Sequence, residues 1–319
     1  MQQLNPHQQY LLEEFAEEYL SRHMTRRDMI RRSLLATGSL TLTATTLFAL
    51  GCGGGDEDDD ATPGEPTRGA ESTTGPTAAP TAATTSGSVA ENDPAIVGQD
   101  MTYQGTGGRV FAYLARPSAN GTYPGVIVIH ENRGLLPHFK DVSRRYAKNG
   151  FVALAVDLAS RVGGTATGAA QLGQVRPEDA VADLQSGLDY LKTQSFVKAS
   201  ALGVTGFCFG GGYTFDLATA SKDIKAAAPY YGTANRALQQ GLAATQAAVQ
   251  VHYGATDTRI TGERATVEAA LQQASKPYQI VVHEGAGHAF FNDTGGSYNE
   301  KAANEAWTQT LAWFRQHLV

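Results

Sequence analysis

Cys208 sits in Gly206-Phe207-Cys208-Phe209-Gly210, a G-x-C-x-G run after an apolar stretch and before a helical pattern. A strand that turns sharply into a helix presents the central side chain at the tip of the turn, and glycines two residues either side relieve the crowding. A thiol is a competent nucleophile only as thiolate, which the start of the following helix favours. Two further groups can act with it. Asp257 follows an apolar run that ends at Tyr253, and His288 follows one that ends at His283. His288 can take the thiol proton and later return it to a leaving group. Asp257 would fix the imidazole tautomer. Singly, each has a plain structural reading: a buried cysteine, a turn aspartate, a loop histidine. Their order and their places at strand ends point to nucleophilic catalysis.

The elements that must position them alternate between strand and helix. Residues 103–105 and 110–115 flank the turn Thr106-Gly107-Gly108-Arg109 and read as a hairpin. Residues 124–130 and 152–156 are continuous β-branched or apolar runs, as buried parallel strands are. Further strands are expected at 201–205, 226–230, 248–253 and 278–283, with helices at 139–149, from Pro177, and at about 298–317. Such alternation means an α/β fold: a mostly parallel sheet with helices on both faces. Active sites of such sheets lie at the carboxyl ends of the strands. The chain order Cys…Asp…His is that of the α/β-hydrolase triad with cysteine in place of serine.

Residues 1–52 read as a leader, 53–92 as a disordered linker and 93–319 as one folded domain. Within the leader, Leu11, Leu12, Phe15 and Tyr19 fall at helical spacing among Glu13, Glu14, Glu17 and Glu18. That is a short amphipathic helix, either a loosely ordered leader, as expected here, or a docking helix. Thr25-Arg26-Arg27-Asp28-Met29-Ile30 resembles a twin-arginine export signal, and its Thr-rich core over 33–52 is less apolar than a membrane span. Ala49-Leu50-Gly51-Cys52 resembles a bacterial lipobox, although the family prefers Leu, Val or Ile where Ala49 stands. Cys52 would then carry a lipid; ordinary signal cleavage and an uncleaved anchor are the alternatives. The acidic run 56–60 and the Thr/Pro/Ala/Gly stretch after it cannot bury a core and read as a tether. These features imply an exported, extracytoplasmic protein, with the export machinery and a membrane surface as partners. A net charge of −6 gives no sign of a nucleic-acid partner. There is no metal-ligand spacing, phosphate loop or dinucleotide fingerprint, so no cofactor is expected. With only Cys52 and Cys208, the chain is not a disulfide framework.

Across 99–319 the sequence resembles the dienelactone hydrolases. The resemblance rests on Val126-Ile127-Val128-Ile129-His130-Glu131-Asn132-Arg133-Gly134, on Val156-Asp157-Leu158, on Gly203 through Gly211, and on Gly285-Ala286-Gly287-His288-Ala289-Phe290. It implies an α/β-hydrolase fold with Cys208 as nucleophile, His288 as base and Asp257 as its orienting partner. Glu131 matches the glutamate that pairs with the resting thiol and accepts its proton when substrate arrives. The oxyanion hole would be the backbone N–H groups of Asn132 and Phe209. Ester or lactone hydrolysis through a thioester acyl-enzyme is the implied chemistry.

One departure concerns the substrate. The family members that act on the chlorocatechol-pathway lactone carry an arginine four residues after the catalytic histidine, where this chain has Asn292. Arg161, Arg176 or Arg133 could substitute for that carboxylate clamp. Phe290, Phe291 and Tyr231 are expected to line an apolar acyl or aryl pocket. Two other readings stand beside hydrolysis: a thiol acyltransferase, for which no carrier signature is present, and a lipid-anchored binding protein. A pure binder has no need for Cys208, Asp257, His288 and Glu131 together, and the fold alone decides none of this.

Overall fold

The structure, a computed structural model, describes residues 4, 6–20, 24–39, 43–44, 46–47 and 87–319. Cys52 and most of the expected linker lie outside the described residues. Eight strands form one sheet: β1 (Ile96–Gly105), β2 (Gly108–Pro117), β3 (Tyr123–Ile129), β4 (Val152–Val156), β5 (Val197–Phe207), β6 (Ile224–Tyr230), β7 (Ala248–Gly254) and β8 (Tyr278–His283). Their order is β1-β2-β4-β3-β5-β6-β7-β8, antiparallel from β1 through β2 to β4 and parallel from there on. The α/β expectation holds, and each expected strand is present.

Seven helices concern the argument: α1 (Pro6–Leu20), α2 (Arg26–Thr37), α3 (Pro137–Lys148), α4 (Pro177–Thr193), α5 (Phe209–Ala220), α6 (Arg264–Ala274) and α7 (Glu300–His317). β4 and β7 are buried along their whole length because helices cover both faces, and β4 is accordingly apolar without alternation. Adjacent residues of β5 show the two faces. Phe207 packs on Phe139 of α3 and on Tyr230, with ring centroids 5.7 and 4.7 Å apart. Gly206 turns the other way, onto α5. On the Phe207 side, α3 meets α7 through Tyr146 and Trp307, rings 4.6 Å apart.

The expected leader helix is present, but it does not stand apart from the domain. Leu11, Leu12, Phe15 and Ala16 of α1 are buried, as are Met29 and Ala36 of α2. Both helices lie against the short helical segment Ala169–Gln174. Gln8 donates to the Ala36 carbonyl and Gln174 to the Leu35 carbonyl, each at 3.0 Å. Gly173 allows this contact: a Cβ there would stand 2.7 Å from Leu11 Cδ1 and 2.9 Å from Ala36 Cβ. Helix α2 starts on Thr25, whose hydroxyl accepts from the Asp28 N–H, and ends on Gly38 in the left-handed region at φ 67°. Arg26 and Arg27 are exposed in its first turn. No helix among the described residues is long and apolar enough to cross a membrane.

Candidate active site

The turn from β5 into α5 sets the position of Cys208. Its φ of 55° and ψ of −118° are strained for a residue with a side chain. The residues two either side of it are glycines because the chain packs so closely there. A Cβ on Gly206 would meet the Gly210 carbonyl oxygen at 2.2 Å, and one on Gly210 would meet the Ile129 carbonyl oxygen at 2.4 Å. The Cys208 N–H donates to the Tyr230 carbonyl at 3.0 Å, tying the tip to β6.

The other groups arrive from neighbouring strand ends. Asp257 follows β7 and His288 follows β8, and His288 Nδ1 lies 2.7 Å from Asp257 Oδ2. The second Asp257 oxygen accepts from the Ile260 N–H, which fixes the carboxylate at the start of the helical turn Thr258–Thr261. Glu131, Asn132 and Arg133 follow β3 and, with Cys208, Thr256 and His288, line a cleft of about 490 Å³. Cys208, His288, Asp257, Glu131 and Asn132 are therefore brought together as the sequence suggests. Phe209 is the first residue of α5, next to the sulfur.

Three expectations fail. The thiol does not rest on Glu131. That carboxylate accepts from the Tyr231 hydroxyl at 3.3 Å and from Asn292 Nδ2 at 2.9 Å. Phe290 and Phe291 do not line the cleft. Both are buried: Phe291 stacks on Phe207 at 4.9 Å, and Phe290 packs on His283 and Tyr231. Ala289, at φ 58°, turns the chain so that both rings enter the core. Arg161 is engaged elsewhere, on Asp183 at 2.9 Å and Asp179 at 3.0 Å, and Arg176 is bound to Asp179 and Glu178. Tyr231 is likewise buried and does not line the cleft, but it stays next to the site, its ring 5.2 Å from that of His288.

Sequence reasoning missed the carboxylate that does hold the thiol. Glu14 of α1 is 2% exposed, and its Oε2 accepts from Cys208 Sγ at 3.1 Å. The same oxygen is 3.2 Å from His288 Nε2, an ion-pair distance without the alignment of a hydrogen bond. Its other oxygen is bound by Arg259, which also lies over the Tyr10 ring. Tyr10 and Glu18, one helical turn to either side of Glu14, meet the site too. The Tyr10 hydroxyl is 3.7 Å from Cys208 Sγ. Glu18 accepts from Asn132 Nδ2 at 3.0 Å and from Arg133 at 2.7 Å. The i, i+4, i+8 spacing of Tyr10, Glu14 and Glu18 was the available signal, since it places them on one helix face.

These contacts set the charges. Burial, then the Glu14 charge, pushes the Cys208 thiol up to about 12. Burial opposes ionisation of Glu14, but His288 and Arg259 outweigh it and hold the carboxyl well below its usual range. Burial alone would lower His288; Glu14, Cys208 and Asp257 together raise it well above an ordinary histidine. The Glu14 charge therefore favours the proton-bearing forms of both the sulfur and His288. Glu14, Cys208 and His288 also form a donor set, within 4.8 Å of one another, that could hold a metal ion. Their atoms are engaged with each other and with Asp257, which fits acid–base work at least as well. Burial also raises Glu131.

Known proteins show to which family the chain belongs. Residues 110–318 match the model of the dienelactone hydrolase family. The chain belongs to that family. It is 33% identical over 238 residues to a Bradyrhizobium sp protein described as a probable 2-oxo-3-(5-oxofuran-2-ylidene)propanoate lactonase, covering 70% of this chain and 96% of the other. It is 31% identical over 259 residues to a candidate carboxymethylenebutenolidase of Escherichia coli K12, covering 76% and 94%. Among solved structures, a candidate dienelactone hydrolase from Klebsiella pneumoniae superposes with a TM-score of 0.64 at 32% identity, covering 70% of this chain and all of that one.

The Glu14 charge raises the thiol pKa, so removing that charge must lower it. In a Glu14→Gln chain, the pH at which iodoacetamide alkylates Cys208 at half its maximal rate should move down, toward that of an ordinary thiol. An unchanged profile, followed on the Cys208 peptide by mass spectrometry, would show that the carboxylate does not control the sulfur.

Proposed function

We propose that this dienelactone hydrolase family member cleaves ester or lactone bonds, with Cys208 as nucleophile, His288 as acid–base and Asp257 as its orienting partner. One observation carries the reading: a strained, helix-starting cysteine shares a cleft with a histidine held at 2.7 Å by a buried aspartate. The curated relatives named above act, by their descriptions, on lactone substrates. In the proposed cycle the thiol proton passes to His288 as Sγ attacks the acyl carbon, and the oxyanion faces the N–H groups of Asn132 and Phe209. His288 returns the proton to the departing alkoxide, leaving a thioester on Cys208. A water then gives its proton to His288 and attacks the thioester. The thiolate departs, the acid is released, and the proton returns to sulfur. Glu131 is assigned the secondary proton acceptor's place, which it can take once Glu14 no longer covers the sulfur.

For the substrate we propose an ester or lactone other than the family's anionic dienelactone. Asn292 replaces the arginine clamp and is bound to Glu131, Arg161 and Arg176 are committed to aspartates away from the cleft, and Arg133, which does line the cleft, is paired with Glu18.

We further propose export through the twin-arginine signal at Arg26-Arg27, with Cys52 lipidated. Under this reading the protein recovered from its own cells begins at an acylated Cys52. A mature chain that still carries residues 1–51 would contradict it.

The hydrolase reading is tested with p-nitrophenyl acetate and a dienelactone, on the full chain and on its Glu14→Ala variant. Thiol-sensitive turnover of the simple ester is expected. In either background Cys208→Ala should lower kcat by about 10³-fold or more, and Cys208→Ser should retain little, since a hydroxyl is the poorer nucleophile there. Turnover that survives Cys208→Ala would remove the cysteine from the mechanism.

A further inference from the structure

The catalytic reading leaves α1 without a role, yet α1 is the element most intimately engaged with the proposed machinery. Its stripe Tyr10, Glu14 and Glu18 reaches Cys208, His288, Arg259, Asn132 and Arg133. Glu14 is a buried charge, which a protein interior tolerates only with close partners. Three of those partners are the nucleophile, the base and Arg259, an arginine two residues after the triad aspartate.

We propose that α1 is an intramolecular inhibitor: it walls one side of the cleft with Glu14 and Glu18, sets Glu14 against Cys208 and His288, and keeps substrate from both until it leaves. The proposal rests on the catalytic reading given above. Geometry supports it in three ways. The Glu14 carboxylate stands against both Sγ and Nε2, where an acyl group and its attacking water would have to be. Glu18 occupies the side chains of Asn132 and Arg133 at the cleft rim. The helix is seated by apolar burial of Leu11, Leu12, Phe15 and Ala16, and by the close approach of Leu11 and Ala36 over Gly173. The charges agree: Glu14 raises both the thiol and His288, which disfavours the thiolate and the free imidazole alike. An inhibitor in the same chain acts at the effective concentration its tether sets, so modest intrinsic affinity suffices. Since α1 precedes Arg26-Arg27, cleavage anywhere after the signal removes the plug with it. The chain would then be slow as synthesised and fully active once processed.

The test uses the full chain and two substitutions outside the machinery. Gly173→Leu places a wedge beneath Leu11 and Ala36, and Leu12→Asp removes an apolar anchor while leaving Glu14 intact. Two rates are read: alkylation of Cys208 by iodoacetamide, followed on its own peptide, and hydrolysis of p-nitrophenyl acetate. Both should rise together by at least about tenfold if the docked state is the dominant one. Folded variants that alkylate at the wild-type rate would overturn the proposal. Should the substitutions prevent folding, a site-specific protease sequence in place of residues 70–76 lets the folded chain be cut and the leader removed by gel filtration. A rise in alkylation after the cut supports the plug, and an unchanged rate overturns it. The two readings fail separately. Faster alkylation without turnover keeps the plug and sinks the hydrolase. Equal turnover in wild-type and released chains keeps the hydrolase and sinks the plug.

Discussion

The cleft depends on one close approach of backbone to backbone. Between Gly206 and Gly210 the chain passes from β5 into α5 with no room for a Cβ at either glycine, against the carbonyls of Gly210 and Ile129. Only there can Cys208 be held at φ 55° at the start of a helix. The strain places Sγ beyond the strand ends, where the loops after β3, β7 and β8 can reach it. From this one turn follow the places of Glu131, Asn132, Asp257 and His288, because each leaves a parallel strand at the same edge of the sheet.

A second constraint acts on that site from α1. A carboxylate as buried as Glu14 must be neutralised, and Arg259 and His288 do so. The same contacts reverse the polarity that cysteine catalysis needs. A nucleophilic thiol requires a cation or a free base beside it. Here an anion lies against the sulfur, and the positive charge of His288 that could support a thiolate is paired with that anion. The geometry is competent while the charge state is not, and the difference lies in one helix.

Much of this was legible in the sequence. The strands are apolar runs because both faces of the sheet are covered, and Cys208, Asp257 and His288 were marked by following those runs. Other features were not. Glu13, Glu14, Glu17 and Glu18 look like one solvated helix face. The spacing of Tyr10, Glu14 and Glu18 puts them on one helix face but does not say what that face meets, because the partners of Glu14 lie some 190 to 270 positions away. Phe290 and Phe291 look like pocket walls from their nearness to His288. The positive φ of Ala289, which no propensity demands, turns them into the core. Arg161 was a reasonable clamp until Asp183, across a loop of unpredictable course, claimed it. Pairings made by tertiary contact between distant, ordinary residues are where sequence reading stops.

The central claim is that Cys208 carries the acyl group. The most direct measurement is mass spectrometry of the Glu14→Ala chain, acid-quenched within its first turnovers of p-nitrophenyl acetate and then digested. The account predicts one acetyl group on the peptide that contains Cys208, labile to hydroxylamine as a thioester is, and absent in the Cys208→Ala chain. Rapid turnover with no acetyl group on that peptide, or with the acetyl group on another residue, would contradict it.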